Sequence, residues 1–166
     1  MAAIASQMPY TFCGIDSDNG SEFINRQLLA WCHTRNIMFT RSRPYKKDNN
    51  AHIEQKNYTT VRQVIGYQRL NTDEVLALMN ELYRGPLRVY INFFRPSQKC
   101  VQKVCVGARV VKTYDIAQTP YQRLRGNPTV PKETKETLTR LFETLDPFAL
   151  RKDIDRLIHE IQKRGR

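Results

Sequence analysis

The segment YTFCGIDSDNGSEF, residues 10–23, decides the fold class. Residues 10–15 are rich in aromatic and β-branched side chains and predict a β-strand. The run DSDNG at residues 16–20 predicts a turn that ends this strand, because Asp, Asn and Gly favour turns. Apolar side chains at helical spacing predict a helix over residues 21–34, and IMFTR at residues 37–41 predicts a second short strand. A strand, a helix and a strand in this order indicate the α/β class.

Two acidic residues stand out on either side of the second predicted strand. Asp18 follows the first strand, and Glu54 lies in the first turns of a helix predicted over residues 50–66, with 35 residues between the two acids. Two-metal phosphoryl transfer needs carboxylates that converge on one point, and Mg²⁺ prefers such oxygen ligands. On spacing alone, a turn Asp and a helix N-terminal Glu are more often ordinary caps.

Three motifs resemble the catalytic core shared by retroviral integrases and DDE-type transposases. Residues 14–23 (GIDSDNGSEF) resemble the motif around the second Asp of that core. Residues 39–57 (FTRSRPYKKDNNAHIEQKN) resemble its Glu segment, in which a Pro-Tyr loop leads into a helix that carries Glu and, three residues later, Asn. The matching residues here are Pro44, Tyr45, Glu54 and Asn57. The gap of 35 residues is the spacing characteristic of the family.

The third motif, YINFFRPS at residues 90–97, is similar to a helix of the family that ends in an Asn and Arg-Pro element. The resemblance covers residues 10–115 and fits bacterial insertion-sequence transposases best. It implies a ribonuclease-H-like fold, in which helices cover both faces of a five-stranded mixed sheet. The family's first Asp lies well upstream of the second, and only 17 residues precede Asp18. We therefore expect an incomplete ribonuclease-H-like fold, the C-terminal portion of a transposase, inactive by itself.

The resemblance also implies the site residues. Asp18 and Glu54 would be catalytic and would hold Mg²⁺ or Mn²⁺ in a two-metal site, if completed. Asp16 could substitute for the missing first Asp only if it reached the metal from its own strand. The residues expected to contact DNA surround these acids in sequence, and they are Arg41, Arg43, Lys46, Lys47, Lys56, Asn57 and Arg62. For each of them, a solvated surface side chain is an equal alternative. Tyr45 and Tyr58 could stack on bases, although packing is the commoner role.

Charge gives an independent reason to expect a nucleic-acid partner. The net charge is +11, and it is concentrated in residues 35–69 (net +6) and 84–125 (net +8). Basic blocks favour polyanions, because each bound phosphate releases condensed counterions. The alternative to the enzyme is therefore a non-catalytic DNA-binding or assembly module, and a generically basic protein is the plainest interpretation.

The organisation expected along the chain has three parts: a partial integrase core at residues 1–99, an extended basic linker or β segment at 100–131, and a helical hairpin at 132–166. Within the first part, Thr72 predicts a helix cap, and Gly85-Pro86 predicts a break before a helix over residues 87–94.

The second part is predicted to be extended over residues 100–114 and to form a loop over residues 119–131, which contain three prolines. In the third part, Asp146-Pro147 predicts the start of a helix.

Cysteines and hydropathy argue against several classes of protein. The four cysteines show no CxxC pair, and the three histidines complete no zinc pattern, so reduced cysteines in a cytoplasmic protein are expected. No stretch approaches the ~20 apolar residues of a membrane span.

A strand edge left open by the missing strands predicts a homo-oligomer.

Overall fold

The computed structural model describes residues 5, 6, 8, 13–17, 26–41, 54, 55 and 57–165. The chain divides into two compact units, Met1–Tyr67 and Gln68–Arg166. This division differs from the boundaries after residues 99 and 131 that the sequence suggested. Helices and strands occur together, so the α/β class is confirmed.

The first unit contains two parallel strands with a helix between them in the chain. Strand β1 spans Gly14–Ser17, helix α1 spans Arg26–Thr34 and strand β2 spans Met38–Arg41. The strands pair in parallel from Gly14 opposite Met38 to Ser17 opposite Arg41. Parallel strands need a long crossover, which is why a helix separates them. The order strand, helix, strand was therefore predicted correctly.

One boundary of β1 was predicted wrongly. Asp16 and Ser17 were assigned to a turn, but both belong to the strand, because they pair with Thr40 and Arg41 of β2. Turn-forming composition is a local signal, and a tertiary partner overrides it here. Residues 10–12 and 18–20, which complete the predicted strand and turn, lie outside the described residues.

The end of α1 is set by one residue in a left-handed conformation. Asn36 has φ +53°, which Asn tolerates better than most residues. The chain then reverses, and the amide of Ile37 donates a 2.9 Å hydrogen bond to the carbonyl of Cys32. Both of these residues are buried. The reversal thus leads the chain from α1 into β2.

The helix predicted over residues 50–66 is present wherever it is described, but its last part is not uniform. Residues 54, 55 and 57 are helical, a π-helical turn spans Tyr58–Arg62, and helix α2 spans Gln63–Ile65. The amide of Gln63 donates to the carbonyl of Tyr58, five residues back. The helix ends at Gly66, whose φ of +95° suits glycine, as the C-cap prediction required.

The second unit is built on three helices. Helix α3 spans Asp73–Arg84, α4 spans Pro86–Phe94 and α7 spans Pro147–Arg164. Thr72 caps α3 by accepting from the amide of Val75 at 3.3 Å, as predicted. Pro86 opens α4 as its first residue, so the predicted break at Gly85-Pro86 is confirmed.

Helix α7 packs against both α3 and α4. Ion pairs join Glu74 to Arg164 at 3.7 Å and Glu81 to Arg156 at 3.5 Å, so α3 and α7 are antiparallel. The side chains buried on these helices form the core of the unit, and they are Val75, Leu82, Leu87, Phe93, Ile154, Leu157 and Ile161. The predicted cap is confirmed, since the Asp146 carboxylate accepts from the amide of Phe148 at 2.8 Å. The C-terminal helix thus completes a core made with α3 and α4.

Two further helices lie between α4 and α7 in the chain. Helix α5 spans Pro120–Gly126 and α6 spans Lys132–Glu143. The predicted loop over residues 119–131 was therefore wrong over α5. Thr119 and Gln122 form a reciprocal capping box, with bonds of 2.8 Å and 3.2 Å. Proline is tolerated at the first position of a helix, because its missing N–H is not needed there. The prediction was wrong because it treated Pro120 only as a loop residue.

Aromatic rings join α4, α5 and α6. The ring of Tyr121 lies 5.1 Å from that of Phe93 and 5.0 Å from that of Phe142, centroid to centroid. The Tyr121 hydroxyl and the Thr139 hydroxyl are 3.0 Å apart. Buried Tyr rings commonly keep such a polar partner. Phe142 of α6 also contacts the rings of Phe93 and Phe94 of α4, so the aromatic cluster fastens α6 to both α4 and α5.

A β-hairpin completes the second unit. Strand β3 spans Cys100–Val106, strand β4 spans Arg109–Tyr114, and they pair antiparallel around a turn in which Gly107 has φ +61°. The prediction of an extended segment over residues 100–114 is confirmed. Every residue of both strands is exposed.

Candidate functional site

The two predicted metal ligands can be placed only in part. Glu54 is helical and exposed, and it lies three residues before Asn57. Asp18 lies outside the described residues, although it follows Ser17 of β1 directly in the sequence. Their predicted convergence therefore stays a prediction.

Asp16 has a defined partner across the parallel strands. The Thr40 hydroxyl donates a 2.9 Å hydrogen bond to Oδ1 of Asp16, and the two residues are paired in register. Asp16 is exposed, and its second carboxylate oxygen keeps acceptor capacity for a cation. The hydrogen bond from Thr40 orients the Asp16 carboxylate toward the neighbouring strand. This orientation limits the positions at which Asp16 can ligate a metal ion.

Ser17 differs from its neighbours because it is buried. Its relative exposure is 3%, and its hydroxyl has no hydrogen-bond partner in the described part of the molecule. Burying a hydroxyl without a hydrogen-bond partner costs free energy of folding, so the polar groups around Ser17 affect the stability of β1. From the sequence, Ser17 was predicted only as part of a turn.

The predicted DNA-contacting residues fall into two groups. Arg41, Asn57 and Arg62 are described and exposed. Arg41 lies opposite Ser17 at the end of β2, so it shares the carboxyl edge of the two parallel strands. The others, which are Arg43, Lys46, Lys47 and Lys56, lie outside the described residues, as does Tyr45.

The helical segment after Glu54 presents polar and aromatic groups to solvent. Tyr58 is 51% exposed, which argues against a place in the core and is compatible with packing at the surface. The Arg62 guanidinium lies 5.1 Å from the ring centroid of Tyr67, a cation–π contact, and guanidinium N–H groups are donors suited to phosphate oxygens. The π-helical turn between Glu54 and Arg62 is a feature that often occurs at functional sites.

The residues present suit a hard divalent cation in chemical type. Carboxylates such as Asp16 and Glu54 are the oxygen ligands that Mg²⁺ prefers. Among the residues that the structure describes, no three His, Cys, Asp or Glu side chains are grouped closely enough to hold a metal ion. Since Asp18 is outside that set, the predicted ligand pair is not tested by this finding.

The second unit has a polar cluster that sequence analysis missed. Arg123 donates from Nη1 to Oδ2 of Asp115 at 2.5 Å and from Nη2 to the carbonyl of Ser97 at 2.6 Å. The Lys99 amide donates to Oδ1 of Asp115 at 2.6 Å. The hydrogen bond from Arg123 and, to a smaller extent, the one from the Lys99 amide lower the pKa of Asp115 below its usual value. We call these four residues the root clasp, because they join the base of the β3–β4 hairpin to α5.

Comparison with known proteins gives one relative of unstated activity. The chain is 42% identical over 118 residues to an uncharacterized protein, y4rM, of Sinorhizobium fredii (strain NBRC 101917 / NGR234). The match covers 71% of this chain and 33% of the relative, so the chain spans about one third of that protein's length. No family model matches the chain, and no solved structure matches it. Among the described residues, no helix has the length and apolarity to cross a membrane.

Proposed function

We propose that the protein belongs to the DDE-type transposases and integrases and contributes to DNA transposition by Mg²⁺-dependent strand cleavage and transfer. In this proposal the first unit holds the last strands of a ribonuclease-H-like fold. Asp18 and Glu54 are the second and third catalytic carboxylates. The three ordered motifs and their 35-residue spacing support the family assignment.

The observation that carries the proposal is the parallel register of β1 and β2. Because Ser17 pairs with Arg41, the carboxyl ends of both strands lie at one edge. Asp18 follows Ser17, and the basic segment of residues 42–50 follows Arg41. Ligands of α/β folds bind at the carboxyl ends of parallel strands, so an acid and a basic segment that both follow this edge support a phosphate-handling site.

The proposed chemistry assigns each residue one task. Bound Mg²⁺ or Mn²⁺ would stabilise the attacking and leaving oxygens of a phosphodiester during in-line displacement. Asp18 and Glu54 would ligate the metal through their carboxylates. Arg41 and Arg62 would hold the phosphates of the DNA backbone, which fixes the register of the duplex without reading its sequence.

The ligand assignment is tested by measuring the affinity of the whole chain for Mn²⁺. The concentration of free Mn²⁺ is monitored by electron paramagnetic resonance. Asp18→Asn and Glu54→Gln should each weaken Mn²⁺ binding. Asp153→Asn and Glu133→Gln are matched controls on exposed positions of α7 and α6, and they should leave it unchanged. Equal affinity in all five proteins would reject Asp18 and Glu54 as ligands.

The activity is tested by nicking of supercoiled plasmid with Mg²⁺ or Mn²⁺, using the same five proteins. Nicking that is lost in Asp18→Asn and in Glu54→Gln, but kept in both controls, supports a strand-cleaving site. Nicking of equal rate in all five, or in none, counts against catalysis by this chain.

A second candidate function, DNA binding or assembly without catalysis, is favoured by the distribution of charge. The segment of residues 84–125, net +8, lies in the second unit, away in sequence from both proposed catalytic acids. A steep loss of DNA affinity with salt that a chelator leaves unchanged is the signature of this function. We also propose self-association, which sedimentation velocity tests through the mass of the particle.

A further inference from the structure

Among the residues that the structure describes, no hydrophobic layer covers either face of the β3–β4 hairpin. All residues of both strands are exposed, and the exposed fractions of its five valines range from 42% to 63%. A two-stranded hairpin alone is marginally stable in water, and three strands or a covering helix are normally needed. The hairpin therefore gains from a partner that covers it.

The register divides the hairpin side chains into two faces. Lys103 lies directly opposite Lys112, and Cys105 lies opposite Val110. Successive side chains alternate between faces, so these four residues share one side, which we call the lysine face. The opposite side, the valine face, carries the pairs Gln102–Thr113, Val104–Val111 and Val106–Arg109.

The lysine pair is unfavourable in the isolated molecule. Directly opposed residues have Cβ atoms about 4.5–5.5 Å apart, and like charges at this spacing destabilise the sheet. No acidic residue occurs over residues 100–114, and neither lysine takes part in an ion pair within the described residues. The nearest acid in sequence, Asp115, is already bound by Arg123 and Lys99. An anion placed between the two lysines would remove the repulsion.

The root clasp holds this charged hairpin at a fixed point. Besides the contacts of Asp115 and Arg123, Ser97 and Gln118 exchange backbone hydrogen bonds of 3.0 Å and 3.2 Å at the base of the strands. The hairpin thus leaves the helical part of the unit from an ordered base. An anchored ribbon loses less conformational freedom on binding than a free segment.

We propose that the β3–β4 hairpin is a DNA-binding ribbon whose lysine face contacts the phosphates of a B-form duplex. The B-DNA major groove, about 12 Å wide, admits a two-stranded ribbon. The major groove of A-form RNA is deep and narrow, so side chains do not enter it. The apolar pair Cys105–Val110 lies next to the lysine pair on the same face, in position to contact thymine methyl groups.

The observations favour DNA over a second copy of the chain. Two lysine faces would repel each other, and lysines on exposed strands are a common means of preventing edge-to-edge pairing. The choice of DNA among polyanions rests on the proposed function, whereas the binding surface rests on the second unit alone. It requires neither Asp18 nor Glu54.

The test measures binding of the whole chain to a labelled DNA duplex by fluorescence anisotropy, in chelator, over a series of salt concentrations. The variant is Lys103→Gln/Lys112→Gln. The matched control, Lys152→Gln/Lys163→Gln, removes the same charge from exposed positions of α7. Loss of two phosphate contacts should lower the salt slope by about 1.8 and weaken binding on the order of tenfold near 0.15 M salt. The control should keep the wild-type slope.

A charge-conserving variant and a second nucleic acid complete the design. Lys103→Arg/Lys112→Arg should keep the wild-type affinity for DNA. This result would show that the glutamine variant binds weakly because it lost charge and not because side-chain replacement disrupts the hairpin. An RNA duplex of the same sequence should bind the wild-type chain more weakly than DNA does. The affinity for RNA should be the same in the two double glutamine variants. Equal losses in the two glutamine doubles on DNA, or equal binding of RNA and DNA, would overturn the proposal.

Two further outcomes identify which idea has failed. If Lys103→Gln/Lys112→Gln changes the sedimenting mass but not the salt slope, the hairpin is a contact between copies and the proposal is wrong. Plasmid nicking is measured separately, with metal present. Binding that depends on the lysine pair in a protein without nicking would remove the catalytic proposal and leave the DNA-binding ribbon standing.

Discussion

Nη1 of Arg123 lies 2.5 Å from Oδ2 of Asp115, and the same guanidinium donates to the carbonyl of Ser97. One side chain of α5 therefore fixes both strands of the hairpin where they leave the helical part of the second unit. The pair is partly exposed, with 18% of the Arg123 side chain and 25% of the Asp115 side chain accessible. Bidentate Arg–carboxylate contacts are among the more specific ion pairs, since two donors match two acceptors.

Asp115→Asn should loosen the base of the hairpin. Asparagine keeps one acceptor oxygen but loses the charge that draws the Arg123 guanidinium. Amide hydrogen exchange over residues 100–114 should become faster, while exchange in α3 and α7 stays unchanged. Asp153→Asn, on the exposed side of α7, is the control and should leave the hairpin amides as they are. Unchanged exchange in Asp115→Asn would show that the clasp does not hold the hairpin.

The contribution of Asp115 should also depend on pH. Hydrogen bonds from Arg123 and Lys99 lower the pKa of its carboxyl in the folded protein. The stabilisation is therefore complete above the ordinary Asp pKa of about 3.9 and is lost as the pH falls through the lower folded value. The difference in hairpin exchange between wild type and Asp115→Asn should persist at pH 5 and vanish only in stronger acid. A difference that disappears already at about pH 5 would contradict this assignment.

Gly85→Ala should destabilise the second unit. A Cβ built at Gly85 would lie 2.7 Å from the backbone carbonyl oxygen of Glu81, which cannot move without distorting the end of α3. We expect a loss of about 1–3 kcal/mol in the free energy of unfolding, measured by urea denaturation. Gly126→Ala is the control, because a Cβ there meets nothing within 4 Å. Similar midpoints for the two alanine variants would mean that the break tolerates a side chain.

Leu82→Ala should have a larger effect than Leu76→Ala, although both positions lie on α3. Leu82 is fully buried against the other core helices, whereas Leu76 is 57% exposed. Removing a buried Leu side chain leaves a cavity and costs about 2–5 kcal/mol, measured as the shift of the denaturation curve. The exposed position should change stability by less than about 0.5 kcal/mol. Equal shifts would place the core elsewhere.

Thr119→Ala should weaken α5 at its N-terminus. The Thr119 hydroxyl accepts from the amide of Gln122, and the Gln122 side chain accepts from the amide of Thr119. Loss of such a cap costs about 1 kcal/mol, visible in thermal unfolding. Thr119→Ser keeps the hydroxyl and should retain most of the stability. If serine is as destabilising as alanine, packing of the methyl group rather than capping is responsible.

Sequence reasoning succeeded where a local rule determines the structure. Thr72, Asp146-Pro147 and Gly85-Pro86 were predicted correctly, because caps and helix breaks depend on neighbouring residues. It failed at Thr119–Gln122, where proline was interpreted only as a breaker although it can open a helix. It also failed at Asp16 and Ser17, since their strand pairing depends on residues 24 positions later in the chain.

The candidate site was harder to predict than the helices. The resemblance named Asp18 and Glu54, and their geometry remains a prediction because Asp18 lies outside the described residues. The bond between Thr40 and Asp16 could not be anticipated, since it requires the register of two parallel strands. The opposition of Lys103 and Lys112 likewise depends on the position of the hairpin turn, which an extended segment of basic and apolar residues does not specify.

Packing of α7 on both sides of the break at Gly85 has a consequence for the order of folding. The contact between Glu81 and Arg156 closes a loop of 75 residues, so α3 and α4 reach their final packing only when the last helix docks. Isolated helices form within about a microsecond, whereas closing so long a loop carries an entropic barrier. Docking of α7 should therefore be the slow step of folding, and α5, α6 and the hairpin can form beforehand from contacts close in sequence.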